Sequence, residues 1–192
     1  MNRLSRLGGL GIAGAVLAAA TAFTLTAAQA PALARTAAAT GGASTSTPKC
    51  TASELGVWVA ADQADGAAGT VFFPLEFTNL GGHACTLFGF PGVSALDSHG
   101  HQLGSPASWD HSVPPKLVTL APGASAHSVL AYSDAIVGNC SPAHVRTAST
   151  LRIFPPDRFQ ATHAYWDLAT CAVKGSVFLR VEAIQPGAGA RI

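Results

Sequence analysis

Seven histidines punctuate the chain: His83, His99, His101, His111, His127, His144 and His163. Three of them are spaced for metal chemistry. On a strand, residues two apart share a face, so the imidazoles of His99 and His101 could converge, with His111 supplied by the loop that follows. Such a set suits Cu(II), Ni(II) or Zn(II). Against this, His99 falls in the turn Asp97-Ser98-His99-Gly100, where strand geometry need not hold. The plain alternative is a polar turn residue beside a solvated strand residue. Nucleophilic catalysis has less to build on, because the chain after residue 34 contains no G-x-S-x-G elbow and no H-E-x-x-H. Asp110 beside His111 reads as a loop pair before it reads as a base and its orienter. Ten acids are spread over turns (Asp62, Asp65, Asp97, Asp157) and strands (Glu76, Glu182), and nothing singles out two that could flank a glycosidic bond. The expectation is a protein that is not an enzyme and has no cofactor.

Aromatic side chains offer a second kind of chemistry. Trp109 lies in the Pro-containing stretch 104–116, and Tyr165-Trp166 lies ahead of Cys171. Rigid aromatics exposed on loops stack on sugar rings or anchor a protein partner. The structural alternative has Trp166 packing on a Cys140–Cys171 bridge and Trp58 covering a sheet edge. Cys50, Cys85, Cys140 and Cys171 are the only cysteines. They form no C-x-x-C pair, so the zinc-ribbon and thioredoxin-like readings lose their main signature. An even count in an exported chain reads as two disulfides. Four cysteines allow three connectivities that sequence does not separate. Pairing sequence neighbours, Cys50 with Cys85 and Cys140 with Cys171, is expected because each bridge then pins one adjoining stretch.

Export itself is written at the N-terminus. Arg3 and Arg6 precede an uncharged run from Leu7 to Ala28 rich in Ala, Leu and Gly, followed by A-x-A patterns. This predicts a signal peptide over 1–34, cut after Ala32-Leu33-Ala34, since a cut after Ala30 would place Pro31 just past the scissile bond. The alternative is an uncleaved anchor, as the run reaches the roughly 20 residues a bilayer span needs. Losing Arg3 and Arg6 lowers eleven Lys and Arg to nine against ten acids, so the formal charge moves from +1 to −1. A nearly neutral body offers no basic face for phosphates, which argues against nucleic acid as a partner. Residues 35–49 hold no large apolar side chain and read as a flexible Ala/Gly/Ser/Thr linker.

From Cys50 onward short apolar runs alternate with the period of a half-buried strand. Val71, Phe73, Leu75 and Phe77 would face the core, while Pro74, Glu76 and Thr78 meet solvent. Pro74 cannot donate to a ladder, which places this strand at an edge or a bulge. Val177, Leu179, Val181 and Ala183 alternate with Arg180 and Glu182 in the same way. About eight strands are expected, near 54–60, 69–79, 85–89, 92–97, 117–120, 124–133, 149–154 and 176–185. Turn chemistry at Asn79–Gly82, Asp97–Gly100 and Pro122-Gly123 separates them. The stretches 104–116 and 155–175 read as long loops, where binding concentrates. The domain therefore spans 50–186, with a frayed tail over 187–192. The predicted class is all-β, an antiparallel sandwich or barrel.

The run Phe77-Thr78-Asn79, then Ala84-Cys85-Thr86-Leu87, Gly89-Phe90-Pro91-Gly92-Val93 and Leu120-Ala121-Pro122-Gly123-Ala124-Ser125-Ala126, with Cys140 and Cys171 beyond, resembles the domain of unknown function 4232 family of secreted bacterial proteins. The resemblance covers nearly all of Cys50 to Ile184. It implies an exported immunoglobulin-like β-sandwich with no established activity. It also implies that these motif residues are structural, and a fold does not imply a function. No Cys follows the apolar segment here, so the lipid anchor of some members is not expected, nor is membrane contact after cleavage. Two functions follow as expectations: a secreted, extracellular or cell-wall-associated binding or adhesion module for an envelope component or protein, acting through loops 104–116 and 155–170 with Trp109, Tyr165 and Trp166; or a metal- or small-ligand-binding protein using His99, His101 and His111.

Overall fold

The computed structural model describes residues 46–189. The predicted signal peptide, most of the linker and the last three residues lie outside the described residues. Among the described residues thirteen strands form: β1 (Leu55–Val59), β2 (Asp65–Ala67), β3 (Thr70–Asn79), β4 (Cys85–Leu87), β5 (Gly92–Leu96), β6 (Gln102–Leu103), β7 (Ser108–Asp110), β8 (Val118–Leu120), β9 (Ser125–Tyr132), β10 (Val145–Phe154), β11 (Thr162–Cys171), β12 (Leu179–Glu182) and β13 (Gln185–Pro186). A short α-helix, α1 (Asp134–Gly138), is capped by Ser133, whose hydroxyl accepts the Ile136 N–H.

The larger sheet runs β1-β3-β9-β12-β7, with β2 added beside β3 and β13 beside β9. The second runs β11-β10-β5-β6, and β4 pairs with β8 alone. Every strand pair is antiparallel except β7 with β12. Alternation explains the layering: Phe73, Leu75 and Phe77 of β3, with Leu130 and Tyr132 of β9, enter one core with Leu151 and Ile153 of β10 and Trp166 of β11. Each large apolar side chain withdrawn from water contributes about 1.5–3 kcal/mol, and the two sheets close as a sandwich. Trp166 meets Phe73 edge-on at 5.2 Å and Tyr132 at 5.9 Å. The chain folds as an all-β sandwich, with thirteen strands among the described residues where about eight were expected, and the bridges are the expected Cys50–Cys85 and Cys140–Cys171.

Several expectations are corrected. β3 is not an edge strand: β9 pairs along one side, and β1 and then β2 along the other. Pro74 is tolerated because it sits at the break between them. β1 ends opposite Leu75 and β2 begins opposite Phe72, while Ala60 N–H reaches the Pro74 carbonyl at 2.9 Å. The missing donor thus faces no ladder partner. The other face of β3 is also covered. Glu76, expected in solvent, is 3% exposed, because the residues after β13 lie over it and Gly189 N–H donates to its Oε1 at 2.6 Å. Gly187–Gly189, read as a frayed tail, is held there also by His127, whose Nδ1 lies 2.9 Å from the Gly187 carbonyl. The stretch 104–116 contains β7, and 155–175 contains the ten residues of β11. Val177 is exposed, and the strand expected over 176–185 is confined to Leu179–Glu182.

An aromatic groove beside the second sheet

Two of the connections converge with the β7 edge. The β4–β5 connection brings Phe88 and Phe90, β7 and its continuation bring Trp109 and Pro115, and the β10–β11 connection brings Phe159 behind Pro155-Pro156. With Phe154 at the end of β10 they line a groove of about 720 Å³. Local sequence explains the shape. Gly89 adopts φ +103, a region open to glycine, which lets the chain reverse between two phenylalanines. Pro155 to Arg158 forms a turn closed by Arg158 N–H to the Pro155 carbonyl at 3.1 Å, with Pro156 at its second position and Asp157 at φ +57 in its third. That is the backbone of a type II turn, where Gly or Asn usually stands and Asp is among the side chains that tolerate the left-handed region.

The rings stay open to solvent. Phe88 is 50% exposed, Trp109 57% and Phe159 98%. Phe90 stacks on Trp109 with centroids 5.3 Å apart and planes 15° from parallel, and His111 meets Phe90 edge-on at 4.8 Å. The Arg152 guanidinium lies 5.7 Å from the Phe154 ring centroid, a cation–π contact, and donates to Gln102 Oε1 at 2.9 Å. At the rim Lys49 Nζ donates to Asp157 Oδ2 at 2.8 Å, and that hydrogen bond and charge hold the Asp157 carboxyl below its ordinary range. Arg158 donates from Nε to the Cys50 carbonyl at 2.8 Å and from Nη2 to that of Lys49. The Cys50–Cys85 bridge and the Lys49–Thr86 pairing fasten this entering segment to β4. The groove wall is therefore pinned covalently and by charge.

Of the residues singled out from sequence, Trp109 lies in the groove. Tyr165 and Trp166 are not in a loop: they are neighbours on β11 and point to opposite faces, Tyr165 outward and Trp166 into the core. Trp166 packs on Phe73 and Tyr132, and it is too buried to meet a ligand. Trp58 stands half-exposed on the β1 edge of the larger sheet. His99 and His101 occupy the β5–β6 turn with rings 6.1 Å apart. Asp97 accepts the backbone N–H of both, and His101 Nδ1 lies 3.2 Å from its Oδ2. The N–H of His101 is the largest cause that lowers the Asp97 carboxyl below its ordinary value. His111 is engaged instead with Phe90, beyond β7. Among the described residues no three His, Cys, Asp or Glu side chains are grouped as metal ligands, so the trio His99, His101 and His111 is not assembled. Phe88, Phe90 and Phe159 were missed as site residues. The signal was available in Phe88-Gly89-Phe90, two large apolar residues flanking a turn glycine.

Fold and groove define a disulfide-bonded β-sandwich that carries an open aromatic cleft. The family model described as domain of unknown function (DUF4232) matches residues 50–185, and the chain belongs to that family. No curated protein matches the chain. No helix among the described residues is long and apolar enough to cross a membrane.

Proposed function

We propose that this protein is an exported, non-catalytic binding module that recognises an envelope or extracellular component through the aromatic groove. The observation that carries the reading is Phe159, a phenylalanine 98% exposed beside Trp109 and Phe88 in one groove. A side chain of that kind is worth about 1.5–3 kcal/mol when buried, and the fold leaves several unburied together. Contiguous exposed apolar surface of this sort marks interaction sites. Two disulfides suit a chain that works in an oxidising compartment, as the signal peptide expected over 1–34 requires.

Retention of the secreted protein on intact cells and isolated cell wall tests this. Trp109→Ala with Phe159→Ala should weaken retention by about 30-fold or more if the pair acts as a hot spot worth about 2 kcal/mol. Phe159→Ala alone should leave the unfolding midpoint in place, because that ring is 98% exposed, whereas Trp109→Ala gives up the stacking on Phe90 and should lower it slightly. Retention equal to that of the unaltered protein would remove the groove from consideration.

A further inference from the structure

Resting on that reading, we propose that the groove takes an uncharged, proline-rich peptide segment in the extended polyproline conformation.

The polar inventory of the lining favours this class. Only two of its side chains are charged, Asp157 and Arg158, and both are satisfied internally: Asp157 by Lys49, and Arg158 by the carbonyls of Lys49 and Cys50. Hydrogen bonding thus draws both side chains back against the rim, and between them an occupant meets rings and prolines, a surface whose complement is itself apolar and uncharged. A glycan would press its ring faces on Trp109 and Phe159 but also carry many hydroxyls into the cleft. Each one buried without a partner weakens binding, and the lining has no Asn, Gln, Ser or Thr to meet them.

A polyproline segment poses the opposite demand. Its pyrrolidine rings are apolar, its backbone has few N–H donors, and its carbonyls need an occasional donor only. The Trp109 indole N–H is such a donor and accepts nothing, so it matches a ligand of carbonyls. The segment is also preformed, so little conformational entropy is lost on docking into an aromatic-lined groove. A volume of about 720 Å³ falls within the roughly 300–1,000 Å³ of sites that hold small ligands. The protein's own upstream segment enters at the rim through Lys49, but residues 35–48 contain one proline and no aromatic, so it lacks the chemistry of the occupant.

The test is a fluorescence titration of the purified secreted protein carrying Trp58→Phe, which leaves exposed Trp109 and buried Trp166 as reporters. Three probes are compared: an uncharged ten-residue peptide rich in proline, the same peptide with its prolines changed to alanine, and a chitin or cellulose oligosaccharide. The expected result is a saturable shift with the proline peptide alone, weakened at least tenfold by Phe159→Ala. Saturation by the oligosaccharide in place of the peptide overturns the peptide assignment and leaves the groove reading standing. Equal response to the alanine peptide also overturns it, since polyproline geometry would then be irrelevant. No response to any probe overturns it too, and the retention assay on the Trp109→Ala/Phe159→Ala protein then decides whether the groove reading falls as well.

Discussion

Replacing Cys50 and Cys85 together by alanine should be the most damaging change outside the core rings. Closing a loop across their separation of 35 residues removes about 3.8 kcal/mol of unfolded-state freedom at 25 °C, and the separation of 31 from Cys140 to Cys171 removes about 3.7. Chain entropy thus makes the two bridges near-equals, and the folded surroundings must separate them. Cys50 and Cys85 are both buried in the main core, whereas Cys140 is only half-buried. Removing two core sulfurs also leaves a cavity, which adds about 1 kcal/mol. We therefore expect a loss of about 5 kcal/mol for C50A/C85A and about 4 for C140A/C171A, large fractions of the ~5–15 kcal/mol that holds a domain together. Urea unfolding followed by the fluorescence of buried Trp166 measures both. In C50A/C85A the segment through Lys49 would lose its covalent tie and keep its hydrogen bonds to the Thr86 backbone and hydroxyl and its contacts with Arg158 and Asp157, so the groove rim should loosen before global unfolding. A loss below about 1 kcal/mol for C50A/C85A, or a clearly greater loss for C140A/C171A, would refute this reasoning.

The remaining predictions concern single side chains. Trp166→Ala should cost about 3–5 kcal/mol by opening a cavity between the sheets, while Tyr165→Ala, one residue away, should stay within about 0.5; equal losses in denaturant melts would mean that β11 faces the other way. Burial raises the Glu76 carboxyl above its ordinary 4.5, against the weaker lowering effects of the Gly189 N–H and of His127. The folded state therefore holds that proton to higher pH than the unfolded chain does. The stability it contributes is complete below about 4.5 and is lost as pH rises through the raised value. Glu76→Gln keeps an acceptor for Gly189 without titrating, so its stability relative to the unaltered protein should climb across that window. Parallel stability–pH curves for the two proteins would show that Glu76 ionises as freely as an exposed carboxylate.

Much of the sandwich was legible in the order of residues, because a period of two places every other side chain on one face. Phe73, Leu75 and Phe77 announce β3 without help from the rest of the chain. β11 escaped because its inward positions include the small Ala164 beside Trp166, so the apolar signal is thin. A register shift between Ala148 and Thr150 in its pairing with β10 further breaks the regular alternation. β7 escaped because three residues are too few to show a period. The burial of Glu76 could not be read at all: it depends on Gly187–Gly189, more than a hundred positions away, returning over the outer face of β3.

Taken alone, the sequence determined the class of fold, the even set of cysteines and the residue types available for recognition, since these follow from local periodicity and composition. Tertiary structure decided which aromatics face water. Trp109 and Trp166 are the same side chain in two unassigned stretches, yet one strand register turns Trp166 into the core, and the meeting of two distant connections with the β7 edge leaves Trp109 beside Phe90 in the open. Exposure is a property of what the rest of the chain covers, and no window of neighbouring residues contains that information.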